Sequence, residues 1–125
     1  MTLAIVDDDE GLRRALERLL RSLGHDVHVF GSAEEFEDGP VVVDCIILDV
    51  RMPGLSGPEL CERLRSRSIA TPVVFITGNF DAEAKDTHPG IDTPLVTKPF
   101  DEVTLMAAID RAIAAATDSQ AHHAR

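Results

Sequence analysis

The sequence predicts an α/β protein built on one parallel sheet with helices on both faces. Short apolar runs alternate with helical patterns along the chain. The runs are β-branched and nearly continuous in apolar residues, as strands buried on both faces are. Four of them also end in polar groups: Leu3–Val6 in Asp7-Asp8-Asp9, Cys45–Leu48 in Asp49, Val73–Ile76 in Thr77, and Leu95-Val96-Thr97 in Lys98-Pro99. Parallel strands would bring all four ends to a single edge, where open sheets of this kind bind ligands.

Each element has its own signal. After Leu3–Val6, the segment Gly11–Leu23 carries Leu12, Leu16, Leu19, Leu20 and Leu23 as a stripe at helical spacing. Asp9 is its expected cap and Gly24 its expected stop. Asp26–Phe30 is short and alternating, as near a sheet edge. Ser32–Phe36 predicts a short helix, with Ser32 capping and Glu35 three residues on. Val41–Leu48 reads as a long central strand. Pro58 suits a first helical turn, and Leu60 and Leu64 carry that helix to about Ser68. Strand Val73–Thr77 follows Thr71-Pro72. The final helix is expected over Asp101–Ala116, with Val103, Leu105, Met106, Ile109 and Ile113 as its apolar face. Residues 1–116 thus form one domain, and 117–125 read as a polar, frayed tail or the start of a linker.

The 125 residues suit one core that needs neither disulfide nor metal to fold. A net charge of −10 argues against direct binding to nucleic acid or an anionic membrane. No apolar run is long enough to span a bilayer, and no signal peptide is visible. Cys45 and Cys61 read as buried free thiols, which fits a cytoplasmic location.

Asp7, Asp8 and Asp49 at one edge would repel one another unless a cation joined them. Mg²⁺ fits an all-oxygen set that leaves positions for water and phosphoryl oxygens; the lack of His and Cys there disfavours zinc and copper. Lys98 adds a point charge and Thr77 a hydroxyl, each suited to a phosphoryl oxygen. Taken singly, such an Asp pair also serves as a turn or helix cap, Thr77 as a structural residue, and Lys98 as an edge lysine. Together they read as phosphoryl transfer to an Asp nucleophile.

The pieces Ile5-Val6-Asp7-Asp8-Asp9-Glu10, Leu48-Asp49-Val50-Arg51-Met52-Pro53-Gly54-Leu55-Ser56-Gly57, Phe75-Ile76-Thr77-Gly78 and Lys98-Pro99-Phe100 carry a resemblance. In this order, over residues 2–116, they resemble the receiver domain of two-component response regulators. The resemblance implies a three-layer flavodoxin-like fold, doubly wound, with five parallel strands in the order 2-1-3-4-5. It implies that Asp49 accepts a phosphoryl group from a phosphohistidine on a histidine kinase or histidine phosphotransfer protein. Asp8 would hold Mg²⁺ directly and Asp7 through water, with the Arg51 backbone carbonyl and Asp49 as further ligands; Thr77 and Lys98 would hold the phosphoryl group. Arg51 and Asn79 would tune its lifetime. Such a protein is no conventional enzyme, since it catalyses only its own phosphorylation and dephosphorylation, and it signals by protein contact. A phosphorylation-dependent dimer is compatible with the resemblance.

Two features depart from the family. Leu95 stands where an aromatic residue is usual, three residues before the lysine. Asn79–Pro94, where the family has its fourth helix, contains Pro89, Gly90 and Pro94 and almost no apolar stripe, so a short or distorted helix is expected. The length favours a stand-alone receiver. One alternative is the receiver fragment of a DNA-binding regulator. Another is a haloacid-dehalogenase-like phosphatase using Asp7 and Asp9, although a second acidic motif after Lys98 is missing and Asp49 would go unexplained.

Overall fold

A computed structural model describes residues 1–39, 42–77, 95–97 and 101–123. Along the chain come β1 (Thr2–Val6), α1 (Glu10–Ser22), β2 (Asp26–Phe30), α2 (Ala33–Asp38), β3 (Cys45–Asp49), α3 (Gly57–Ser66), β4 (Val73–Thr77) and β5 (Leu95–Thr97). A C-terminal helix (Glu102–His123) completes the described elements. The sheet has the order β2-β1-β3-β4-β5, and every pairing is parallel. This is the three-layer, doubly wound order expected from the sequence.

Strand alternation divides the core into two layers. Leu3, Ile5, Cys45, Ile47, Val74, Ile76 and Val96 face Leu16 and Leu20 of α1 and Leu105 and Ile109 of the C-terminal helix. Ala4, Val6, Ile46, Leu48, Val73 and Phe75 face Phe36 of α2 and Leu60 and Leu64 of α3. Each fully buried aliphatic or aromatic side chain contributes roughly 1.5–3 kcal/mol, so β1, β3 and β4, buried on both faces, are held most firmly. Cys45 and Cys61 belong to opposite layers, and both are free thiols.

The expected caps form. Asp9 accepts the Leu12 N–H at 3.2 Å, and Ser32 accepts the Glu35 N–H at 3.1 Å. Leu23 caps the end of α1, and Gly24 follows at φ +91°, a conformation that glycine adopts without strain.

Three sequence expectations are corrected. The central strand begins at Cys45, not Val41. Asp44 bonds the head of β1 through its N–H to the Thr2 carbonyl and its carboxylate to the Thr2 N–H, each at 2.7 Å, and Val42 is 96% exposed. β1 starts at Thr2, so it provides no ladder for residues upstream of Asp44. Val103 is 76% exposed and does not join the apolar face of its helix. It lies two residues from Leu105, about 200° around the helix from that buried position. Finally, the C-terminal helix does not fray at Ala116 but continues to His123; no Gly or Pro interrupts it, and its run of alanines favours helix. The expected short helix in Asn79–Pro94 lies outside the described residues.

Candidate functional site

The site stands at the carboxyl edge of the sheet, where β1 and β3 end side by side. The pairing Val6↔Leu48 puts the residues that follow, Asp7 and Asp49, on neighbouring strand ends. Asp7 is fully buried. Its N–H donates to the Phe30 carbonyl at 3.1 Å, its Oδ1 accepts the Asp9 N–H at 2.9 Å, and its backbone carbonyl accepts Nη1 of Arg13 at 2.9 Å. Asp8 is exposed on the loop to α1.

Asp49 is buried at 6% exposure, and its Oδ1 accepts the Arg51 N–H at 3.3 Å. The backbone beyond it is stitched in both directions. The Val50 N–H donates to the Ile76 carbonyl at 2.9 Å, and the Val50 carbonyl accepts the Gly57 N–H at 3.1 Å. That second bond brings the start of α3 directly onto Asp49, close enough that only glycine fits at position 57. Ser56 and Glu59 then fix the helix start as a capping box: the Glu59 N–H donates to Ser56 Oγ at 3.3 Å, and Glu59 Oε1 accepts the Ser56 N–H at 3.2 Å.

Carboxylate oxygens of Asp7, Asp8 and Asp49 lie within 4.8 Å of one another. Asp9 stands apart from this group, its side chain engaged in capping α1. Thr77 closes β4 at 3% exposure, one strand over from Asp49, and its Cα pairs with Thr97 of β5. The structure thus brings together Asp7, Asp8 and Asp49, with Thr77 at the adjacent strand end. Arg51 sits in the loop after Asp49 with an exposed side chain. Leu95 lies on β5 opposite Phe75. Lys98 and Asn79 lie outside the described residues.

Three oxygen donors of this kind fit a hard divalent cation: the carboxylates are close enough to share one ion, and no thiolate or imidazole competes among them. The same geometry places the Asp49 carboxylate at the carboxyl edge of the sheet beside Asp7 and Asp8. Sequence reasoning missed three contributors. The Ser-x-x-Glu of the capping box was legible as a motif. The Arg13 bond to Asp7 and the approach of Gly57 to Asp49 had no sequence signal, because each depends on where two backbones meet.

A sequence model of the response regulator receiver domain matches residues 3–110. Nodulation protein W of Bradyrhizobium diazoefficiens is 39% identical over 108 residues, which are 84% of this chain and 48% of that protein. The transcriptional regulatory protein FixJ of Azorhizobium caulinodans is 38% identical over 108 residues, 84% of this chain and 51% of that protein. Among solved structures, the response regulator StyR superposes with a TM-score of 0.80 at 34% identity, covering 98% of this chain and 63% of that one. FixJ-N gives 0.79 at 33% identity, covering 90% of this chain and 92% of that one. The chain belongs to the response regulator receiver domain family of two-component systems. It spans about half the length of the curated relatives it matches.

Proposed function

We propose that this receiver takes a phosphoryl group onto Asp49 in a Mg²⁺-dependent reaction, from a phosphohistidine on a histidine kinase or histidine phosphotransfer protein. The observation that carries the reading is the convergence of Asp7, Asp8 and Asp49 within 4.8 Å, beside a buried Thr77. Asp8 and Asp49 would hold the cation directly, Asp7 through water, and the Arg51 backbone carbonyl would add a ligand. When bound, Mg²⁺ neutralises the carboxylates and the charge that develops on the phosphoryl oxygens. An Asp49 carboxylate oxygen attacks phosphorus, a new O–P bond forms, the N–P bond to the donor imidazole breaks, and the nitrogen keeps the bonding electron pair. Thr77 donates its hydroxyl to one phosphoryl oxygen, and Lys98 pairs with another. Water later attacks the same phosphorus and returns Asp49 to a carboxylate.

The engagement of Asp9 as a helix cap supports this reading over a phosphatase using Asp7 and Asp9, since it takes Asp9 out of the acidic cluster. A cytoplasmic site of action fits a kinase partner, and no helix among the described residues is long and apolar enough to cross a membrane. The half-length match to relatives named as transcriptional regulators favours a second reading of the output, in which the signal passes to an attached DNA-binding segment.

The test is intact mass after incubation with Mg²⁺ and acetyl phosphate. One added phosphoryl group is expected, abolished by Asp49→Asn and by chelation. No addition, or one that survives Asp49→Asn, refutes the assignment.

A further inference from the structure

We propose that Arg13 is a positioning residue for the cation site, through the backbone rather than through its charge; this rests on the Mg²⁺ reading above. Two other arginines on α1 form ion pairs with a glutamate one turn away. Arg14 pairs with Glu10 at 2.9 Å and Arg21 with Glu17 at 3.1 Å, both one helical turn apart on the surface. Arg21 also donates to the Val27 carbonyl at 2.9 Å. Arg13 likewise reaches a backbone carbonyl six residues away, but its acceptor is that of Asp7, within the acidic site.

Gly31 lies beside the Arg13 guanidinium. A side chain there would stand 3.5 Å from the Arg13 Nη1 and 2.9 Å from a Glu35 carboxylate oxygen, which accepts the Gly31 N–H. The arm is anchored in a helix fixed by the Asp9 cap and by buried Leu16 and Leu20.

The carbonyl matters because the peptide between Asp7 and Asp8 is planar. Fixing the Asp7 C=O fixes the Asp8 N–H and the direction in which the chain reaches the Asp8 Cα. Among the described residues no hydrogen bond or ion pair holds the Asp8 carboxylate, so its place beside Asp49 depends on this backbone. Asp7 is held independently by Phe30 and Asp9. Arg13 therefore acts on the carboxylate that, among the described residues, has no restraint of its own.

The two roles of a guanidinium at this place have opposite signs. As a bare positive charge Arg13 repels Mg²⁺, and removing it would tighten binding. As an orienting group it holds Asp8 in place, and removing it would weaken binding.

The experiment titrates Mg²⁺ into the phosphoryl-free chain by isothermal calorimetry, well below the melting point, for wild type, Arg13→Ala, Arg13→Lys and Arg14→Ala. Thermal midpoints are measured without Mg²⁺ for each. Arg13→Ala is expected to weaken Mg²⁺ binding about tenfold, the lower range for losing a group that orients a metal ligand. Arg13→Lys, which keeps a donor, should recover most of that loss. Arg14→Ala removes an equal charge without the carbonyl bond and should leave affinity unchanged or slightly tighter. Unchanged or tighter binding in Arg13→Ala overturns the proposal, as does a lowered midpoint with normal affinity, which is the mark of a merely structural role. Should Arg13→Ala not fold, Arg13→Gln takes its place with the same criteria. A wild type that binds no Mg²⁺ overturns the site reading and this inference together; wild-type binding with an unaffected Arg13→Ala overturns this inference alone.

Discussion

Replacing Gly57 by alanine tests the link between fold and chemistry at its tightest point. A Cβ at position 57 would lie 2.1 Å from the Asp49 carbonyl oxygen, 3.0 Å from the Asp49 carbonyl carbon and 3.3 Å from Leu48 Cγ. Relief requires a movement of roughly 1 Å, and both sides are backbone that other bonds hold. The Gly57 N–H bonds the Val50 carbonyl, and Val50 in turn bonds Ile76. The helix side is fixed by the Ser56–Glu59 capping box and by buried Leu60. Alanine gains at most about 1 kcal/mol over glycine in helix propensity, and less at a first helical position. Overpacking costs about 1–3 kcal/mol and occasionally more, and a backbone-to-backbone clash belongs at the upper end. The net expectation is a loss of about 2–3 kcal/mol. For a chain of this length that lowers the midpoint by roughly 10 °C. Circular dichroism is the assay, because the chain contains neither Trp nor Tyr to report by fluorescence. The atom displaced belongs to Asp49, so acetyl phosphate labelling should also slow under conditions where the variant is fully folded. A variant within about 2 °C of wild type, labelled at the wild-type rate, would refute the reasoning.

Further expectations concern two titrating groups. Burial pushes the Cys45 thiol up to about 12, so the folded state disfavours the thiolate that reacts. Alkylation of the native protein should therefore spare Cys45 and reach partly exposed Cys61 first; rapid double labelling without unfolding would contradict this. Because the folded value is raised, the stability tied to Cys45 is present below the unfolded thiol value of about 8.5 and fades as pH rises toward 12; Cys45→Ala should flatten that alkaline decline. Asp101 has the opposite sign. Its Oδ1 accepts the Thr104 N–H at 2.7 Å, and hydrogen bonding from Thr104 holds its carboxyl below the usual range. The stability it contributes is present above the unfolded value of about 3.9 and lost as pH falls through the lower folded value. The midpoint gap between wild type and Asp101→Ala should thus close in acid, and an equal gap at neutral and strongly acidic pH would count against the cap.

Much of this structure was legible because a parallel sheet turns chain order into geometry. Once Leu3–Val6 and Cys45–Leu48 were read as neighbouring parallel strands, Asp7 and Asp49 had to meet at one edge, and Thr77 had to stand beside them. Apolar patterning failed where it asked for more than local sequence holds. Val42 is as β-branched as Val73, yet among the described residues no strand lies beside it to complete a ladder. Val103 is apolar but falls on the wrong side of a helix whose face is set by Leu105 and Ile109. Arg13 and Gly57 were illegible for a related reason. Their roles come from the distance between two backbones that the sequence does not place next to each other.

The acidic cluster works against the stability of the fold that carries it, since three carboxylates share a site of which two members are buried. The chain confines this cost to the place best able to bear it. β1 and β3 are adjacent central strands with apolar layers on both faces, so the spacing of Asp7 and Asp49 cannot relax without disrupting two cores at once. Main-chain N–H groups of Asp9 and Arg51 then donate hydrogen bonds to the Asp7 and Asp49 carboxylates and offset part of the charge locally. Asp8 stands on the loop instead, exposed, and placed through the backbone. A rigid pair with one adaptable third donor suits a cation that keeps several waters and takes a phosphoryl oxygen in turn. A site with all three carboxylates fixed in the core would bind metal more tightly but would leave little room for that exchange.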